Sequence, residues 1–424
     1  MRIAARASII LLPISFAGLS QSSFGSDLSV TAGLGYDLLS QEYFLDSAAA
    51  AGPDSVIVNW ALTTHYLDDL KGQLGLTYTP WDDDRLELRG RLDQTADFVR
   101  LRLGGNLAVD WSVRRLQCFG EVEVKDRYRG ESEFGDSYVR GYARGKLSQP
   151  LNRALDLYVQ LKTDGVRFAS ASTYSYNHYR LGADLGLQKT FGGFSYGDLR
   201  LMVDHRRVPD SVELDYLFVG AEATMLAFYS RGELDLLASL VSKDYRRPGC
   251  KDDHYRLMLE ADNRLSLGRA WFSRQRIETE LTLYHPDDPI NVDYSQVGLF
   301  LLGGIESGPF SLAAGPVYER LEERESEFTI AEDYTETGFR ASLDRLEPGR
   351  FFVSVESTLG RRNLRIESDL QTDFAFERLS LIGDYSLAAA LRLSLMFSAE
   401  WEWHDRPEEN SRMYLLSSNL TYEL

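Results

Sequence analysis

The chain has 424 residues, of which 44% are hydrophobic, 12% aromatic and 26% charged, and its formal net charge is −18. That acidity excludes nucleic acid as a partner, because phosphate binding needs a basic face. Cys118 and Cys250 are the only cysteines, too few to staple such a chain, and no apolar run beyond the N-terminal segment is long enough for a transmembrane helix.

The first residues, MRIAARASIILLPISFAGLSQSSFGSDLSV, place Arg2 and Arg6 before an apolar run from Ala7 to Leu19. Ser23 and Gly25 then put small residues at the −3 and −1 positions of a cut before Ser26. This predicts a secretory signal peptide over residues 1–25, and the run is short against the ~20 residues a spanning helix needs. The remainder, 26–424, reads as one domain with no linker and no low-complexity tract. Its first alternating segment starts at Leu28, which leaves no room for a plug domain ahead of it.

From Leu28 onward, segments of about ten residues alternate apolar and polar, which is strand periodicity. Leu86, Leu88 and Leu92 oppose Glu87, Arg89, Arg91 and Asp93. Val99, Leu101, Leu103 and Leu107 oppose Arg100, Arg102 and Asn106. Cys118, Val122 and Val124 oppose Glu121 and Glu123, and the same pattern runs through 137–147, 155–162 and 276–283 to Leu391–Trp403. Two places are ambiguous. Residues 55–79 form either one very long strand or a hairpin turning at Leu67–Asp69, and parity shifts between Phe374/Phe376 and Leu379/Leu381. Prolines fall in connections, Pro150 among them, whereas Pro316 lies inside a strand and predicts an irregularity. Hairpins recur without a fixed sequence repeat.

Four features favour a membrane barrel over a soluble sandwich. A secretory signal precedes the strands. The polar parity is heavily ionic, as in Arg140, Arg144 and Lys146 or Arg274, Arg276, Glu278 and Glu280. Short connections alternate with longer charged ones. Aromatic residues (Tyr36, Tyr78, Trp111, Tyr284, Tyr318, Trp401, Trp403, Tyr422) fall near strand ends, where a ring can sit at a membrane interface. In hydrocarbon every backbone polar group must pair internally, so such a sheet must close. The expected fold is an all-β, antiparallel, up-and-down transmembrane barrel of about twenty strands, even in number between about 16 and 22, with short periplasmic turns and longer extracellular loops.

The mature chain resembles Gram-negative outer-membrane β-barrel proteins of the porin-like kind. The resemblance rests on this pattern and on the closing YLLSSNLTYEL, where Leu416, Leu420, Tyr422 and Leu424 stand on alternate positions counted back from the last residue. It implies location in the bacterial outer membrane after signal-dependent export, contact with lipid and lipopolysaccharide, and recognition of that strand by the barrel-assembly machinery. Leu at the last position, usually aromatic, and Ser418 in an apolar slot depart from the pattern.

The candidate functional residues are inward-facing. On SYVRGYARGKL (137–147), Tyr138, Arg140, Tyr142, Arg144 and Lys146 share one face, a column that either guides anions and stacks sugars or neutralises Glu121 and Glu123 on the preceding strand. Arg89, Arg91, Arg100 and Arg102 form a second basic group, and Glu260, Glu278 and Glu280 an acidic one. Opposed walls of this kind would impose a transverse field on a solute. The acidic stretch 322–328 reads as a solvated outer loop, with divalent bridging to lipopolysaccharide as the alternative. The tract 41–54 is a candidate inward-folded loop with a short helix in SAAAAG.

No His/Cys pair has metal-ligand spacing, no G-x-S-x-G elbow occurs and no G-x-G-x-x-G opens a helix, so neither catalysis, metal nor cofactor is predicted. The functions in contention are a passive channel for small polar solutes or oligosaccharides, a structural or export-associated barrel serving a secretion or surface-polysaccharide system, and an outer-membrane hydrolase built on loop histidines such as His254 or His404.

Overall fold

A computed structural model of the chain describes residues 27–47, 58–80, 85–95, 97–127, 137–169, 176–192, 194–246, 253–285, 291–324, 333–365, 372–406 and 409–423. Twenty strands form one sheet. In chain order they are β1 (Asp27–Ser47), β2 (Val58–Thr79), β3 (Leu86–Gln94), β4 (Phe98–Trp111), β5 (Arg114–Arg127), β6 (Tyr138–Asn152), β7 (Leu155–Phe168), β8 (His178–Phe191), β9 (Ser195–Arg207) and β10 (Tyr216–Tyr229). There follow β11 (Gly232–Tyr245), β12 (His254–Ser266), β13 (Trp271–Tyr284), β14 (Tyr294–Ser307), β15 (Phe310–Glu323), β16 (Tyr334–Glu347), β17 (Phe351–Leu364), β18 (Phe374–Ala388), β19 (Leu391–His404) and β20 (Ser411–Glu423). Each strand pairs antiparallel with its sequence neighbours, and β20 pairs with β1 from Thr31↔Glu423 to Tyr43↔Ser411. The ring is therefore closed and has no edge strand, as the alternation predicts.

The burial pattern is inverted relative to a soluble protein. Leu103, Leu181 and Leu201 are more than half exposed on the outer parity. Asp93, Asp184 and Asp204 on the inner parity are 1%, 2% and 0% exposed. Apolar side chains turned outward and carboxylates packed inward are what a hydrocarbon surround and a polar lumen demand. No helix among the described residues is long and apolar enough to cross a membrane, which has no bearing on spanning by strands.

One end of the ring carries tight turns. Examples are Ser112–Val113, Arg153–Ala154, Ser230–Arg231 and Ala389–Ala390. Gly308 and Gly349 take positive φ of 58° and 74° at two such turns, where a Cβ would strain the backbone. Tyr78, Trp111, Tyr229, Trp271 and Tyr422 are exposed on the outer face near this end, and Tyr255 and Trp403 near the other. Tyr284 does not join them: it stands on the inner parity, its ring 5.3 Å from that of His254.

The structure decides the readings left open and corrects others. Residues 58–79 are one strand, because β1, 21 residues against 22, pairs with them from end to end, with a shift at Leu39/Ser40 that takes up the extra residue. Residues 41–47 thus continue β1 and do not fold inward as a loop. Pro150 lies within β6, at a register shift between Pro150 and Asn152 where its missing N–H breaks no continuous ladder. The irregularity expected at Pro316 is present: the β14–β15 pairing stops at Phe300↔Val317 and resumes at Gly303↔Ala314. The parity change in β18 arises because Phe374 and Phe376 point inward; Phe376, 1% exposed, fills the space above Gly360. The expected signal peptide (1–25), Ala48–Gly52, most of the stretch 322–328, Cys250 and Leu424 lie outside the described residues, and Cys118 is free.

The hairpins do repeat. An Asx or Ser residue followed by an aromatic one occurs at Asp97–Phe98, Ser137–Tyr138, Asn177–His178, Asp215–Tyr216, Asp253–His254, Asp293–Tyr294, Asp333–Tyr334 and Asp373–Phe374, spaced by 38 to 40 residues. From Ser137 onward, the first residue of each pair accepts a hydrogen bond from the backbone N–H that ends the strand before the loop. Tyr284 N donates to Asp293 Oδ1 at 2.7 Å, Glu323 N to Asp333 Oδ1 at 2.6 Å and Leu364 N to Asp373 Oδ1 at 2.7 Å. Arg127, Phe168, Val208 and Tyr245 donate to Ser137, Asn177, Asp215 and Asp253 in the same way. These clamps close the ladder at the loop end of the barrel.

Candidate functional site

All fourteen inward candidates fall on the inner parity, linked strand to strand by the register. Glu123 faces Arg102 and Arg140, Glu121 faces Tyr142, and Glu260 faces Glu278. The ion pairs, however, select only some of these neighbours. Arg102 Nε lies 2.7 Å from Glu123 Oε2, and the Tyr138 hydroxyl donates to the same carboxylate. Arg140 turns to the following strand instead and donates through Nε to Asp164 Oδ1 at 2.8 Å. Neutralisation of Glu121 and Glu123 by the β6 column is therefore not what the structure shows. Glu121 makes no ion pair among the described residues, nor does Arg144, whose guanidinium carbon lies 6.0 Å from the Phe119 ring centre. Lys146 sits 4.0 Å from the Tyr158 ring centre and 3.3 Å from Gln188 Oε1.

The β3–β4 arginines are partly balanced. Asp93 is shared by Arg91 Nε at 2.8 Å and Arg100 Nη2 at 3.0 Å, and Arg89 pairs with Glu87. In the acidic group, Glu280 takes Arg256 Nη2 at 2.6 Å and the Tyr294 hydroxyl, Glu278 pairs with Arg276, and Glu260 makes no ion pair among the described residues. Strand β13 stands ten places from β3 in a ring of twenty, so the two groups lie on opposite walls. Across β3–β9 the inner parity holds more Arg and Lys than Asp and Glu; across β10–β19 the balance reverses.

Sequence reasoning missed two networks. Asp204, fully buried, lies 2.7 Å from Arg180 Nε and 3.8 Å from Lys162 Nζ, and Lys162 also reaches Asp184 at 3.0 Å. On the other wall Glu336 takes Arg362 at 2.8 Å and Arg378 at 2.6 Å, and Arg378 continues to Glu400 at 2.7 Å. Apart from Tyr138, the aromatic half of the repeat was missed too. It lines the inner face at the loop end, where Tyr138, Tyr294 and Tyr334 donate to Glu123, Glu280 and Glu319, each one inward step down the preceding strand. The dipeptide spacing was the available signal.

Comparison with known proteins gives a fold and no closer relative. No family model matches the chain, and no curated protein does. Among solved structures it is similar to OccAB3 of Acinetobacter baumannii, at 10% identity and a TM-score of 0.51, covering 94% of this chain and 100% of that one. A BenF-like porin from Pseudomonas fluorescens Pf-5 gives 10% identity and a TM-score of 0.51, covering 95% and 99%. The siderophore receptor PirA of Pseudomonas aeruginosa gives 8% identity and a TM-score of 0.51, covering 93% and 80%. The chain therefore has the closed barrel fold of outer-membrane proteins.

Proposed function

We propose that the chain is a passive outer-membrane channel for small polar solutes or oligosaccharides. The observation that carries this is the ionic inner wall, cation-rich on β3–β9 and carboxylate-rich on the opposing β10–β19. Such a wall presents oriented charge to water and solute rather than a packed apolar core. Likeness in fold to a BenF-like porin supports the reading. Residues 1–25 serve as the export signal, and the β20 positions Leu416, Leu420 and Tyr422, with Leu424, as the assembly signal. Single-channel conductance of the refolded protein is the test: discrete current steps in KCl are expected, and a barrel that passes no current overturns the reading. Arg144, free of any carboxylate partner among the described residues, is the most informative lumenal position. Arg144→Glu is expected to shift the reversal potential in a KCl gradient towards cation selectivity.

A second reading, a structural or export-associated barrel, is favoured by the density of cross-strand ion pairs around Asp204 and Glu336. The same conductance measurement separates the two.

A further inference from the structure

The lower lumen contains a cavity whose lining does not match the rest of the wall. It occupies about 820 Å³ at the tight-turn end, between β10 and β17. Leu226, Phe228, Phe272, Leu302, Leu346 and Phe352 contribute an apolar surface. Phe272 and Leu302 pack with Ala313 as a buried floor. Phe228 and Leu346 are 46% and 55% exposed although they point inward. Large apolar side chains exposed to a polar lumen cost free energy unless something covers them, so they mark a contact surface.

The charges around this floor are unequal. Five carboxylates (Glu233, Asp235, Asp262, Glu306, Asp344) line the cavity against two guanidinium groups. Both arginines are committed. Arg274 donates from Nε to both Asp262 oxygens at 3.0 Å, and Arg264 pairs with Glu306 while lying 4.4 Å from the Phe272 ring centre. Glu233, Asp235 and Asp344 make no ion pair among the described residues. They stand on β11 and β16, on either side of the apolar floor carried by β13 and β14.

We propose that this cavity is a binding subsite for organic cations with an apolar body, such as a primary amine on an aromatic or branched aliphatic chain. The body lies on Phe228, Phe272 and Leu346, and the ammonium is held by whichever of Glu233, Asp235 and Asp344 it reaches. An exposed Phe face adds attraction for the cation. The assignment rests on the channel reading and names a solute class for it, held at the tight-turn mouth.

The test uses the full mature barrel refolded in detergent, with 2-phenylethylamine and phenylacetate as probes of nearly equal shape and opposite charge. Calorimetric titration is expected to show the amine binding at a single site at least about tenfold more tightly than the carboxylate. Combining Glu233→Gln, Asp235→Asn and Asp344→Asn should weaken the amine by about tenfold or more. Glu278→Gln with Glu280→Gln, higher on the same wall, should leave it unchanged. Heat-modifiable gel mobility identifies variants that have folded; if the triple variant fails, Asp344→Asn alone carries the test with a smaller expected loss. Equal binding of the two probes, no binding, or equal sensitivity to Glu278 and Glu280 overturns the proposal. The binding assay needs no current. A barrel that binds the amine but does not conduct overturns the channel and keeps the cavity, and one that conducts but does not discriminate does the reverse.

Discussion

Asp333 shows how much one side chain does at the loop end. It is 6% exposed, its Oδ1 accepts from Glu323 N, and its Oδ2 takes Arg365 Nη1 at 2.9 Å. Asp333→Ala removes both and leaves a backbone donor without its partner, so a loss of about 1–3 kcal/mol is expected. The urea midpoint of the folded barrel, read from gel mobility without boiling, measures it. Asp333→Asn keeps an acceptor for Glu323 N and should recover part of the loss. Glu336 is the lumenal counterpart. Glu336→Ala strands Arg362 and leaves Arg378 with Glu400 as its only carboxylate among the described residues, and is expected to cost about 3 kcal/mol by the same assay. The sequence displayed these carboxylates but not their partners. Each inward residue faces two neighbouring strands and several diagonals, and the choice of Asp164 over Glu123 by Arg140 depends on Arg102 already holding Glu123.

At the scale of the strand, period-two alternation was legible almost everywhere because one side chain in two must meet lipid. It failed where an inward position is filled by bulk instead of charge. Phe376 interrupts the polar parity of β18 because the facing residue, Gly360, has no side chain to occupy the space. A Cβ on Gly360 would lie 2.4 Å from Phe376 Cζ and 2.8 Å from Thr337 O, and the second atom belongs to backbone. Gly360→Val should therefore destabilise the barrel by about 1–3 kcal/mol, and pairing it with Phe376→Ala should restore part of that, a coupling that a double-mutant cycle resolves. The length of β2 was ambiguous for another reason. Its turn-like Leu67–Asp69 is polar enough to end a strand, and the pairing with β1 from end to end keeps it extended.

For the whole molecule, closure followed from hydrocarbon's intolerance of unpaired backbone, and strand number from the count of alternating segments. The loop-end repeat did not, because two residues in every forty are a faint signal among ordinary turn residues. That repeat makes the ring divisible. Residues 294–333 span one full period, one down-strand and one up-strand with both connections, so excising them joins Asp293 directly to Tyr334 and preserves the Asp–Tyr junction. Parity is conserved across the splice, because Tyr294 and Tyr334 occupy equivalent inward positions. The product should close as an eighteen-membered cylinder whose girth is smaller by two strand spacings, roughly 10 Å. Its conductance should fall below that of the parent while its heat-modifiable mobility persists. The girth of the barrel is in that sense a countable quantity, set by how many copies of one forty-residue tile the gene carries.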